Sequence, residues 1–242
     1  MRPHNLTVQL CLLLFLLLIQ HPASAQQRKP PTGGRIAVVV DERLAALRST
    51  PNLSGKLVRR LGRGRLVAIT GTKTTLDGIT FYRVNVTTRT RGWIQRESVV
   101  SPSRASDDQR LFDLIQQSHG FDRIARCRIF LDHFLRSPLR PAVLLLIGDT
   151  AESLAADLSK SISRKLTATT LTAPAFTYYL NHPSLDRYNR QNINFLFNPT
   201  TKRLHYDGHA WRLLLRQHPH SPEAAEARKR LLELKRNATS ID

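Results

Sequence analysis

Thr90-Arg91-Gly92-Trp93-Ile94 closes a run of short alternating segments that begins at Arg35, and the reading of that run decides the fold. Arg35-Ile36-Ala37-Val38-Val39-Val40 is dominated by β-branched residues and predicts a first strand. Turn formers follow in Ser49-Thr50-Pro51-Asn52-Leu53-Ser54-Gly55. Next come residues 56–61, a Gly62-Arg63-Gly64 corner, and residues 65–70, where Val67 and Ile69 share the inner face at period two. Residues 71–78 make the next turn. Residues 79–87 alternate again, with Phe81 opposite in sense to Tyr82 and Val84. Short strands at this spacing, punctuated by glycine, predict a small closed or nearly closed β-barrel over residues 35–100. A unit of about 65 residues lies near the lower limit of independent stability, so its core needs every large apolar side chain.

Leu47-Arg48-Ser49-Thr50-Pro51, Leu61-Gly62-Arg63-Gly64, Phe81-Tyr82-Arg83-Val84 and Arg91-Gly92-Trp93-Ile94 together resemble a bacterial SH3 (SH3b) domain over residues 35–100. Thr50-Pro51 stands where that family has a glycine-proline turn, and Phe81 where it most often has tryptophan. The resemblance implies a small barrel that acts as a targeting module on peptidoglycan peptides or another surface partner. It implies no chemistry.

The chain has 242 residues, 23% charged and 41% hydrophobic, and a formal net charge of +19. Arg2 and His4 precede an apolar run from Leu10 to Ile19, and Pro22 with Ala23-Ser24-Ala25 reads as a signal-peptidase site. The expectation is a signal peptide over residues 1–25, cleavage near Ala25 and a periplasmic or secreted product. The apolar run is too short to remain as a transmembrane helix. Of the two cysteines, Cys11 lies in the leader, so removing it leaves Cys127 without an intrachain partner. Residues 26–34, rich in Pro and Gly, read as a flexible lead-in.

Residues 101–105 break the strand pattern and predict a linker. Ser106-Asp107-Asp108-Gln109 has the form of a capping box. Leu111, Leu114 and Ile115 then repeat on one helical face; Ile124, Cys127, Leu131 and Phe134 do so on a second helix, 121–136. A third helix runs towards Leu166 through Leu144, Ile147 and Ala151, and Gly148 in its middle predicts a close helix crossing or a kink. Pro174 opens a segment carrying Phe176, Tyr179 and Leu180. Asn194-Phe195-Leu196-Phe197 and Leu204-His205-Tyr206 form a hairpin, residues 210–218 a short helix, and Ser221-Pro222 the start of the last helix. Leu135-Arg136 before Pro138 and Pro141 is echoed by Leu215-Arg216 before Pro219 and Pro222, and the two copies are similar to tetratricopeptide (TPR) helix pairs. The expected architecture is thus multidomain α+β: the barrel, then a mostly helical TPR-like domain over residues 106–236 with a short hairpin, and a tail over 237–242.

Cys127 with His119 and His133 is the candidate nucleophile set, yet Cys127 lies on an apolar helical stripe, where a thiol acts as a small hydrophobe. His205 and His209 flank Asp207-Gly208 at a hairpin end, and no pair of cysteines completes a zinc site. Asp149, Glu152 and Asp157 read as a solvated helix face. No catalytic residue, metal or cofactor is therefore expected. Lys56, Arg59, Arg60, Arg63 and Arg65 cluster, and Tyr82 and Trp93 could stack bases, but export argues against nucleic acid as partner. The ligand-binding candidates are Tyr82, Arg83, Arg91 and Trp93: Tyr82 is expected at the surface because it alternates away from Phe81, whereas closing the barrel core is the commoner use of a tryptophan at Trp93. The expected function is that of an exported, non-catalytic binding protein whose barrel docks on peptidoglycan or another anionic envelope polymer and whose helices engage a protein partner. The alternatives are an envelope scaffold acting mainly through the helices and, last, a cell-wall hydrolase of unrecognised type.

Overall fold

The computed structural model describes residues 33–167, 185–198, 201 and 203–239. The leader, most of the lead-in and the segment with Phe176, Tyr179 and Leu180 lie outside these residues. The first part is one antiparallel sheet of seven strands: β1 (Arg35–Val39), β2 (Ala46–Arg48), β3 (Leu57–Arg60), β4 (Leu66–Thr74), β5 (Thr80–Asn85), β6 (Arg91–Gln95) and β7 (Val99–Val100). Their order across the sheet is β3-β2-β6-β5-β4-β1-β7. Ala37, Val39, Leu47, Val67, Ile69, Tyr82, Val84, Ile94 and Val99 meet in one buried cluster, so the sheet wraps around its inner face.

Of the expected closed or nearly closed barrel, the closed form is not present. Strands β3 and β7 end the sheet and do not pair with each other. All four residues of β3 are exposed, and its pairing with β2 slips at Leu47/Arg48. A short, basic, irregular edge of this kind resists further pairing. At the other end β7 is two residues long before the chain leaves for the helices.

The helices are α1 (Asp107–Gln116), α2 (Gly120–His133), α3 (Arg140–Thr167), α4 (Leu185–Asn189), α5 (His209–Gln217) and α6 (Pro222–Thr239), with the hairpin β8 (Phe195–Asn198) and β9 (Arg203–Tyr206) before α5. The apolar stripes read from the sequence are the buried ones: Leu111 and Ile115 on α1, Ile124, Cys127 and Leu131 on α2, Leu144, Ile147 and Ala151 on α3. Helix α3 is the axis, packing against α2, α5, α6 and β9. Gly148 makes this possible: a Cβ there would lie 2.7 Å from Cδ1 of Trp211, so the indole of α5 sits directly on the α3 backbone. Among the described residues strand β9 pairs with β8 alone, and α3 side chains receive its other amides. The amide of Tyr206 donates to Glu152 Oε2 at 2.9 Å and that of Leu204 to Ser159 Oγ at 2.7 Å.

Sheet and helices share a core. Val38, Val40 and Val100 turn away from the sheet's inner cluster and join Leu111, Ile124, Phe130, Ile147 and Trp211 in a second one. The segment 101–105 between them is pinned: Ser101 Oγ donates to the Ile36 carbonyl at 2.6 Å, its amide to Asp107 Oδ2 at 2.8 Å, and Arg104 Nη1 to Tyr82 Oη at 2.5 Å. The capping box is absent. Ser106 adopts φ 63°, and its hydroxyl donates back to the Ala105 carbonyl rather than capping α1. The buried Asp107 is drawn instead to the Ser101 amide and to the Arg104 and Arg110 guanidiniums, which anchor the helix to the sheet.

Candidate functional site

Among the described residues no three histidine, cysteine or acidic side chains form a metal-sized cluster. Cys127 is fully buried, and desolvation pushes its thiol up to about 12. Burial likewise holds the His133 imidazole below its ordinary value. No described helix is long and apolar enough to cross a membrane.

The exposed side of the sheet is different. Pairing places Arg48 of β2 opposite Trp93 of β6, and Trp93 opposite Arg83 of β5. Leu57 of β3 and Gly71 of β4 extend the same row at its two ends. Side chains two apart on a strand share a face, so Arg91 stands beside Trp93 on that side. Gly92 lets the row form: a Cβ there would lie 2.6 Å from the Arg48 carbonyl oxygen and 3.0 Å from the Leu47 side chain, pushing β2 off β6. Arg48 is held by one bond from Nη1 to the Gly55 carbonyl at 2.8 Å, which leaves the rest of its fork unused.

The expected roles of the two aromatics are reversed. Tyr82 is 5% exposed, lies in the sheet core and accepts the hydrogen bond from Arg104. Trp93 is half-buried on the outer side, and among the described residues no ring or guanidinium stacks on it. The alternation carries the reason: Val84 and Ile94 are core residues, so Tyr82 shares the inner side with Val84 while Trp93 is out of phase with Ile94. Phe81 is also buried. Arg83 and Arg91 are exposed, as expected of ligand-face residues. Arg48 was missed, although the same rule, applied to its core neighbour Leu47, points it outward.

Charge separates across this part of the molecule. Residues 35–100 hold thirteen Lys or Arg and four Asp or Glu. Three of those acids are spent on Arg43, Arg63 and Arg96: Asp41 with Arg43 at 2.7 Å, Glu42 with Arg63 at 3.8 Å and Glu97 with Arg96 at 3.3 Å. The Arg43 guanidinium holds the Asp41 carboxyl below its ordinary value. Among the described residues no acid lies within ion-pair distance of Arg48, Arg83 or Arg91. Unneutralised cations around an accessible indole suit an anion that also presents a flat apolar surface.

A concavity of about 480 Å³ lies between the 102–106 segment and the α2–α3 turn. Phe134, Leu135 and Pro138 line it with Arg104, Arg136 and His133, and Ser137 Oγ donates to Asp108 Oδ2 at 2.8 Å in its wall. Leu135 is 68% exposed there. Compared with protein-family models, with curated proteins and with solved structures, the chain matches none.

Proposed function

We propose that this is an exported, non-catalytic binding protein whose SH3b-like β part docks on peptidoglycan or another anionic envelope polymer, while TPR-like helices serve a protein partner. The observation that carries this reading is the unpaired cationic row Arg48–Trp93–Arg83 with Arg91 beside it. The leader-like N-terminus supports the location, since it would bring this face to the cell envelope. A purified chain incubated with isolated sacculi at physiological salt is expected to co-sediment, and more weakly as salt rises. Replacing Arg48, Arg83 and Arg91 together by glutamine abolishes the pull-down if the reading holds. Unchanged sedimentation of the triple variant refutes it. Tyr82→Phe is the control, since it removes a core hydroxyl and leaves the face intact.

The groove at Leu135 favours a second reading, an adaptor acting mainly through the helices. Sheet and helices share a core, so the full chain is the right reagent. Under this reading Leu135→Glu abolishes capture of the protein partner and leaves sacculus binding unchanged.

A further inference from the structure

We propose that the cationic row takes an acidic polysaccharide of the uronic-acid type, laid across the strands with one sugar ring on Trp93 and the carboxylates of its neighbours on Arg48 and Arg83. This deepens the reading above and rests on it.

Register comes first. Arg48, Trp93 and Arg83 occupy adjacent strands at one level of the sheet. Neighbouring strands lie about 4.8 Å apart, so the two arginines flank the indole about 10 Å from each other. A pyranose residue advances a glycan by close to one strand spacing. Three consecutive sugars therefore meet an arginine, an indole and an arginine in turn. A sugar's apolar C–H face covers an indole, while the planar guanidinium matches a carboxylate with two parallel hydrogen bonds. Gly71 continues the row beyond Arg83 and, carrying no side chain, leaves the track low as it departs from the site.

The other polyanions fit less of this geometry. Single-stranded nucleic acid is held by several aromatic platforms stacking successive bases. Among the described residues Trp93 is the one aromatic on this face of the sheet, because Phe81 and Tyr82 are both buried. A polyol phosphate has no ring for the indole and would leave Trp93 without a role. Preorganisation also favours a ligand of fixed spacing: the Gly55 bond holds Arg48, and each side chain stands on a strand rather than a loop.

The test uses the full chain with oligogalacturonate, its methyl ester and oligo-dT as probes, read by titration calorimetry and tryptophan fluorescence. The chain has two tryptophans, and Trp211, 1% exposed, serves as the silent reference for Trp93. Oligogalacturonate is expected to bind and shift the emission, and the uncharged ester to do neither. Trp93→Leu weakens binding about tenfold and abolishes the shift, and Arg48→Gln or Arg83→Gln each weakens it about fivefold. Tighter binding of oligo-dT, or full affinity in Trp93→Leu, overturns the proposal. No binding of oligogalacturonate overturns it as well, and arginine-dependent sacculus binding then shows whether the broader reading survives.

Discussion

Nε of Arg126 donates a hydrogen bond to the carbonyl oxygen of Val40 at 3.2 Å, joining residues 86 apart in sequence. Nη1 of the same guanidinium donates to Ser118 Oγ at 2.8 Å, and the side chain is 4% exposed. Burial pulls the Arg126 pKa below its ordinary value, which records the cost of enclosing the charge. Its carboxylate neighbour, Asp122, is 3.8 Å away and 58% exposed, so the ion pair contributes little. The two buried hydrogen bonds are what it supplies.

Arg126→Met keeps the bulk of the side chain, takes the donor from the buried Val40 carbonyl and leaves Ser118 Oγ only its own bond to the Leu114 carbonyl, a loss of about 1–3 kcal/mol. Urea unfolding is expected to show a lower midpoint with an unchanged slope. Because Val38, Val40 and Val100 sit in the helical core, sheet and helices are expected to melt together. Two separate calorimetric transitions would contradict the shared core.

Gly148→Ala drives a methyl group into the Trp211 indole, and overpacking of this kind costs about 1–3 kcal/mol. The Trp211 indole N–H is buried without an acceptor among the described residues, so no hydrogen bond to them is lost when the ring shrinks. Trp211→Phe in the same chain is therefore expected to recover part of the loss. Strict additivity of the two substitutions in thermal melts would argue against this contact.

Gly92→Ala places a Cβ against the Arg48 carbonyl and loosens β2 from β6. The expected cost is about 1–3 kcal/mol, together with weaker sacculus binding, because Arg48 and Trp93 lose their register. A variant that loses stability but binds as before would separate the strand contact from the site.

Cys127 is expected to resist a thiol reagent in the native state at pH 8 and to react at the rate of global unfolding. Its folded pKa, about 12, lies above the ordinary 9.0, so burial favours the neutral thiol. That contribution is fully present below pH 9 and declines as the pH climbs towards 12, where the unfolded chain has already lost the proton and the folded one has not. Rapid labelling of folded protein at pH 8 would place the thiol at the surface.

Alternation and helical period are local properties, and so most of the strands, the apolar helix stripes, the β8–β9 hairpin and the meaning of Gly148 are legible in the sequence, although β4 runs on to Thr74 through residues read as a turn. Strand β2, three residues beside a turn, carries too short a pattern to be seen. The exposed arginines of the site are readable for the same reason: Arg83 lies between the buried Tyr82 and Val84, and Arg91 is out of phase with the buried Ile94.

Which side of a strand meets the core depends on everything packed against it. Tyr82 turned inward and Trp93 outward because the inner cluster had already claimed Val84 and Ile94. Ser106 had the chemistry of a cap, yet Asp107 was pulled to Ser101, Arg104 and Arg110, and the backbone turned left-handed before the helix. Composition and period thus specified the elements and the excess of positive charge. Three-dimensional packing alone set the open sheet edge, the core common to sheet and helices, and the alignment of Arg48, Trp93 and Arg83, since each depends on contacts between residues far apart in the chain.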